Sequence, residues 1–219
     1  MKKAVIFDLD GTLADTIASI TYCGNLALSR FGLPSFGEED YKHFVGDGAA
    51  MLIRRALLAA GDERLEHFDE VYETYLEIFA KDCMYQVKPY EGICALLEEL
   101  KRLSVRIAVL SNKPDRDSLR VVEALFGKGY FDFVQGQRED IPRKPDPAGV
   151  YRIMEAFVLP AGDFLYVGDS GVDIETARNA GLAGCGVLWG FRTGDELCGA
   201  GASYLVRSPE DIRVLVLDA

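Results

Sequence analysis

Apolar positions change rhythm along this chain. Ala4-Val5-Ile6-Phe7 is a short unbroken apolar run with β-branched residues, the pattern of a buried strand, and Gly11 marks the turn that leaves it. From Ile17 the spacing becomes three and four: Ile17, Ile20, Gly24, Ala27 and Phe31 trace a helix stopped by Gly32 and Pro34. Ser35-Phe36-Gly37-Glu38 fits a capping box opening a short helix through Tyr41 and Phe44. Val45-Gly46-Asp47-Gly48 reads as a turn, 49–60 as a helix ended by Gly61, and 64–83 as a helix with Leu65, Phe68, Val71, Tyr72, Tyr75, Leu76 and Phe79 on one face. Past Pro89, strands and helices alternate. Helices are predicted over 93–103, 115–126, from Asp146-Pro147, from Ser170 to Ala180 and from Ser208-Pro209. Strands are predicted at 105–110, 131–135, 164–167, 185–189 and 204–206.

One strand, a block of four helices and then repeated strand-helix units predict an α/β protein. Its parallel sheet would be covered by helices, with the helical block inserted after the first strand. The predicted division is a core of 1–14 and 88–219 and an all-helical insertion of 15–87. The 219 residues, 49% of them hydrophobic, suffice for such a core. A formal charge of -11 argues against nucleic acid or an anionic membrane as partner. No apolar run reaches the length of a membrane span, and the run after Met1-Lys2-Lys3 is cut short by Asp8. The five cysteines, Cys23, Cys83, Cys94, Cys185 and Cys198, form no C-x-x-C pair. They are expected as reduced buried thiols in a soluble cytoplasmic protein. Oligomeric state is not legible.

The chemistry gathers at strand ends, where open parallel sheets bind ligands. Asp8 and Asp10, two apart, start on one face at the end of the first strand. Two such carboxylates repel and raise each other's pKa, so a cation, a proton or both should accompany them. A hard cation such as magnesium suits oxygen ligands. Ser111 and Asn112 end a second strand, Lys144 stands in the loop 143–147, and Asp169 ends a third strand with Asp173 four residues on. Each has a plain reading alone. Asp8 and Asp10 can be an acidic turn, Ser111 and Asn112 turn and helix-entry residues, Lys144 a solvated loop charge, and Asp169 and Asp173 helix caps. Their order and joint placement at strand ends favour a single site. His43 and His67 read as structural, Trp189 as core or pocket rim, and Arg54 and Arg55 as solvated unless one reaches a substrate carboxylate.

The segments 7–16 (FDLDGTLADT), 110–113 (LSNK), 143–147 (RKPDP) and 167–173 (VGDSGVD) resemble the four motifs of the haloacid dehalogenase superfamily, in order and across nearly the whole chain. The chain is most similar to the branch with a helical cap after the first motif, and within it to phosphoglycolate phosphatases. The resemblance implies a Rossmann-like core and a magnesium-dependent phosphatase acting on a small phosphorylated metabolite, 2-phosphoglycolate first. It makes Asp8 the nucleophile, Asp10 the general acid and base, and Ser111 and Lys144 the groups that stabilise the transferring phosphoryl. Mg2+ would bind Asp8, Asp169 and the carbonyl of Asp10, with Asp173 behind it holding a water or orienting Lys144. Thr12, Asn112, Gly46, Asp47, Gly48 and Arg54 would contact substrate. Uncatalysed phosphate-monoester hydrolysis is slow enough that the site must lower the barrier by roughly 20 kcal/mol or more, which calls for a metal, a nucleophile and an acid together. Asp10 disfavours dehalogenation, which has no alkoxide to protonate. The alternatives are a pyrophosphatase or a sugar-phosphate phosphatase or phosphomutase on the same framework, and a non-enzymatic phospho-acceptor module. Hinges for the cap are expected near 15–18 and 86–90.

Overall fold

Strand β1 (Ala4–Phe7) is buried at every position, as an all-apolar strand is when both faces of a parallel sheet are covered. In the computed structural model, which describes residues 1–218, β1 lies at the centre of a six-stranded sheet. On one side are β4 (Arg106–Pro114) and then β5 (Phe133–Gln137). On the other are β6 (Phe164–Gly168), β7 (Ala183–Val187) and β8 (Tyr204–Val206), and every pairing is parallel. Phe7 stands level with Val109 of β4 and Val167 of β6. The three strands that carry the candidate motifs are therefore neighbours; β1 and β6 end there, at Phe7 and Gly168, while β4 runs on to Pro114.

Alternation along these strands covers both faces. Ala4, Ile6, Ala108, Leu110, Phe164 and Tyr166 form one cluster with α7 (Ala148–Phe157), through Val150, Ile153 and Phe157, and with Ala177 of α8 (Gly171–Asn179). Val5, Phe7, Ile107, Val109, Leu165 and Val167 point the other way and are buried too. Helices α5 (Ile93–Arg102), α6 (Asp115–Phe126), α9 (Gly194–Gly199) and α10 (Pro209–Asp218) complete this unit. The chain divides into two compact units, Met1–Asp15 with Pro89 onward, and Thr16–Lys88. The second contains α1 (Ile17–Ser29), α2 (Glu38–Phe44), α3 (Ala49–Ala59) and α4 (Phe68–Asp82). At the divisions, β2 (Ala14–Asp15) and β3 (Lys88–Pro89) form a two-stranded ribbon.

The α/β class, the parallel sheet and the four-helix insertion agree with the sequence pattern, while several boundaries differ for local reasons. Helix α2 is capped at Gly37, not Ser35: the Asp40 carboxylate accepts the Gly37 N–H at 3.0 Å. Helix α4 starts at Phe68 rather than near Arg64, because the Asp62 carboxylate accepts the N–H groups of Glu66 and His67 and holds 62–67 as a turn. Strand β5 begins two residues later than expected, since the Phe131 ring packs against Phe126 instead of pairing. Strand β7 lies two residues earlier, and α9 carried too weak an apolar pattern to be anticipated. The expected strand over 105–110 runs on to Pro114. Its polar residues looked like an end but are buried. Of the cysteines, Cys23, Cys83 and Cys185 are buried, but Cys94 and Cys198 are exposed. Among the described residues no helix is long and apolar enough to cross a membrane.

Candidate active site

Asp8 follows β1 directly, and its N–H donates to the Val167 carbonyl at 2.9 Å, which extends the sheet one residue and aims the side chain out of its carboxyl edge. Lys144 reaches the same place from the loop before α7. Its Nζ lies 2.7 Å from Asp8 Oδ1 and 2.7 Å from Asp173 Oδ1. The lysine backbone is clamped by Asn112: Lys144 N–H donates to Oδ1 at 2.9 Å and Nδ2 donates to the Lys144 carbonyl at 3.1 Å. Asp173 is equally constrained. Tyr166 hydroxyl donates to Oδ1 at 3.3 Å, and Ser170 donates its N–H and its hydroxyl to Oδ2 at 3.1 and 2.6 Å. Ser170 in turn caps α8. With both oxygens taken, Asp173 holds the Lys144 ammonium through Oδ1 and Ser170 through Oδ2.

Asp169 follows β6 directly and is 2% exposed. Thr12 hydroxyl donates to Oδ1 at 3.3 Å and Phe191 N–H to Oδ2 at 2.8 Å. Two glycines let backbone press against it: a Cβ on Gly11 would strike its carboxylate and one on Gly190 its Cβ, and Gly11 also has φ +84°. Trp189 Nε1 donates to the Thr12 carbonyl at 3.1 Å and closes the arrangement.

Carboxylate oxygens of Asp8, Asp169 and Asp173 all lie within 4.8 Å of one another, and all three residues are buried. Burial, then Asp173 and Asp169, push the Asp8 carboxyl well above its usual range against the pull of Lys144. Burial and then Asp173 push Asp169 up to about 7. Burial works against the charge on Lys144, but Asp173 and Asp8 outweigh it and hold the ammonium well above its ordinary range. When all three carboxylates are ionised, the single ammonium of Lys144, bound to Asp8 and Asp173, does not balance them. The donor set is oxygen only, so a hard divalent cation fits its chemistry and charge.

Asp10 has a different partner. Both its oxygens accept from Lys113 Nζ, at 2.8 and 3.0 Å. Ser111, 4% exposed, accepts the Lys113 N–H on its hydroxyl at 3.2 Å. Two residues expected to touch substrate have side chains bonded within the chain. Thr12 is fully buried with its hydroxyl on Asp169, and Asn112 is spent on the Lys144 backbone. Gly46, Asp47, Gly48 and Arg54 belong to the helical unit. There the Asp47 carboxylate pairs with Arg55, which also donates to the carbonyls of Phe44 and Val45, while Arg54 is exposed on α3. Sequence reading passed over Lys113, Tyr166 and Ser170. The signal for Ser170 was present, because S-x-x-D before an apolar helix is a capping pattern. Nothing in the sequence marks a tyrosine inside an apolar strand as a partner of Asp173.

A family model described as haloacid dehalogenase-like hydrolase matches residues 5–187. The chain is 31% identical over 224 residues to a phosphoglycolate phosphatase of Pseudomonas savastanoi pv. phaseolicola, covering 99% of this chain and 79% of that protein. It is 28% identical to a phosphoglycolate phosphatase of Vibrio parahaemolyticus, covering 98% of this chain and 96% of that one. A crystal structure from Lactobacillus delbrueckii subsp. bulgaricus superposes with a TM-score of 0.89 at 35% identity over 99% of each chain. A predicted phosphoglycolate phosphatase from Haemophilus somnus superposes with a TM-score of 0.90 at 26% identity, covering 98% of this chain and 97% of that one.

Proposed function

The chain belongs to the haloacid dehalogenase-like hydrolases and is a phosphatase of that family, and from that premise we propose that it hydrolyses 2-phosphoglycolate through a phosphorylated Asp8. The carrying observation is the convergence of Asp8 and Lys144 at 2.7 Å at the end of β1, which pairs with β4 on one side and β6 on the other. Lys144 holds Asp8 Oδ1, which leaves Oδ2 to attack phosphorus. As that P–O bond forms, the ester P–O bond breaks, and Asp10 gives its proton to the departing alkoxide oxygen. Water then attacks the phosphorus, yields its proton to Asp10 and displaces Asp8, freeing inorganic phosphate. Lys144 and the Ser111 hydroxyl face the equatorial oxygens, where charge is spread in such transfers. Asp173 keeps the ammonium in place.

Asp8, Asp169 and the carbonyl of Asp10 would hold Mg2+, which when bound supplies positive charge next to the phosphoryl oxygens. The relatives' names support the glycolate ester as substrate. The non-enzymatic phospho-acceptor alternative falls to the same relatives, which are phosphatases over nearly the full chain.

A panel of phosphate esters assayed with Mg2+ and with EDTA tests this reading. Release of phosphate should be fastest from 2-phosphoglycolate and be lost in EDTA. Asp8→Asn should lower turnover by at least about 1000-fold. Normal turnover in that variant would remove Asp8 from its role. Phosphate moved between sugar positions without release would redirect the reading to a phosphomutase.

A further inference from the structure

We propose that Lys113 is a positioning residue for Asp10: it sets the carboxyl of the general acid from the neighbouring strand. This inference rests on the role given above to Asp10. Asp10 lies three positions beyond Phe7, the last residue of β1, and Lys113 lies within the adjacent parallel strand β4, four beyond Val109, the partner of Phe7. Lys113 Nζ contacts both oxygens of Asp10, at 2.8 and 3.0 Å, which fixes the plane of the carboxyl as well as its distance.

The lysine is itself held. Its N–H donates to Ser111 Oγ at 3.2 Å, and its carbonyl accepts from Ser118 Oγ at 3.1 Å. Its side chain is 4% exposed, whereas that of Asp10 is 19% exposed. A flexible solvated lysine would lose its rotamer freedom to make such a pair and gain little from it. Here the stem is packed and the backbone pinned on both sides, so the ammonium arrives preorganised. Asp10 sits beyond the strand end, next to Gly11, where the backbone alone leaves the side chain several rotamers. When Asp10 carries its proton on one oxygen, the other still accepts from Lys113. One contact therefore persists through both halves of the reaction. Lys144 and Lys113 divide the work: the first serves Asp8 and the second Asp10.

The test uses leaving groups. The value of kcat/KM reports formation of the phosphorylated enzyme, the step in which Asp10 donates. An alkyl ester such as 2-phosphoglycolate needs that proton, and p-nitrophenyl phosphate, with an acidic phenol as leaving group, does not. Lys113→Met should lower kcat/KM for 2-phosphoglycolate by about 10- to 100-fold and for p-nitrophenyl phosphate by less than about threefold, within the range of general acid catalysis. In an Asp10→Asn background the same change should cost nothing further, because residues acting as a unit are not additive. Lys113→Arg, which keeps charge and donors, should recover part of the alkyl-ester rate and guards against a Met variant that fails to fold. Equal losses on both esters, or full multiplication of the two single effects, would overturn the proposal. Asp8→Asn run in parallel separates the two ideas: activity surviving there defeats the proposed function, whereas its loss beside an additive Lys113→Met defeats this inference alone.

Discussion

Asn112 shows how much one side chain can decide at the residue scale. It ties β4 to the backbone of a residue 32 positions away and so delivers Lys144 to Asp8 and Asp173. Both hydrogen bonds are buried, and an orphaned buried group costs roughly 1–3 kcal/mol. Asn112→Ala should therefore lower stability by about 2–4 kcal/mol in urea unfolding. Under the proposed mechanism it should also reduce kcat more than it changes KM, since Lys144 would then serve the transferring phosphoryl rather than the ground state. Asn112→Asp keeps the acceptor for Lys144 N–H and loses the donor, so it should fall between Ala and the parent in both measurements. A Gly11→Ala variant should fail in a different way. Its Cβ meets the Asp169 carboxylate at a positive φ, and the loss should appear in Mg2+ affinity measured by calorimetry.

Helix α1 holds the informative case at the element scale. Gly24 sits mid-helix, where replacing Gly by Ala ordinarily gains about 1 kcal/mol of helix propensity. Here the added Cβ would run into the Tyr41 ring and hydroxyl, and Tyr41 is fully buried with its hydroxyl on Asn25 Oδ1 at 3.2 Å. Overpacking of a rigid core costs about 1–3 kcal/mol, so the clash should win and Gly24→Ala should lower Tm. A compensating Tyr41→Phe in the same chain should restore part of the loss by removing the oxygen nearest the new methyl. The same close approach explains why Gly24 falls on the apolar stripe of α1: the glycine is a socket for the neighbouring helix.

At the scale of the whole molecule, pH should act through the buried acidic site of Asp8, Asp169 and Asp173. Asp169, pushed up to about 7 by burial and Asp173, binds a proton in the folded chain that the unfolded chain has already released above its ordinary carboxyl range. A raised folded pKa contributes stability below the unfolded value, and that contribution is lost as pH rises through 7. Metal binding requires the ionised carboxylates, so protons compete with the ion at low pH. Mg2+ should then raise Tm clearly at pH 8 and little at pH 5, with EDTA as the reference at each pH. Equal shifts at both values would show that these carboxylates do not carry the ion.

Most of the order of strands and helices, apart from β2, β3 and α9, and the inserted helical block were legible from the chain alone, because side-chain period is a local property; the same reading put Asp8, Asp169 and Asp173 at one spot, and their carboxylates lie within 4.8 Å of one another. Other features were decided only when distant segments met. The continuation of β4 through Ser111, Asn112 and Lys113 was hidden because polar residues look like an ending until partners across the sheet bury them. The turn of Thr12 away from solvent onto Asp169, and the pairing of Lys144 with Asp8 and of Lys113 with Asp10, depend on register between β1, β4 and β6. A sequence states which charges exist; which carboxylate each ammonium neutralises is a matter of a few ångströms, and only the packed sheet sets those.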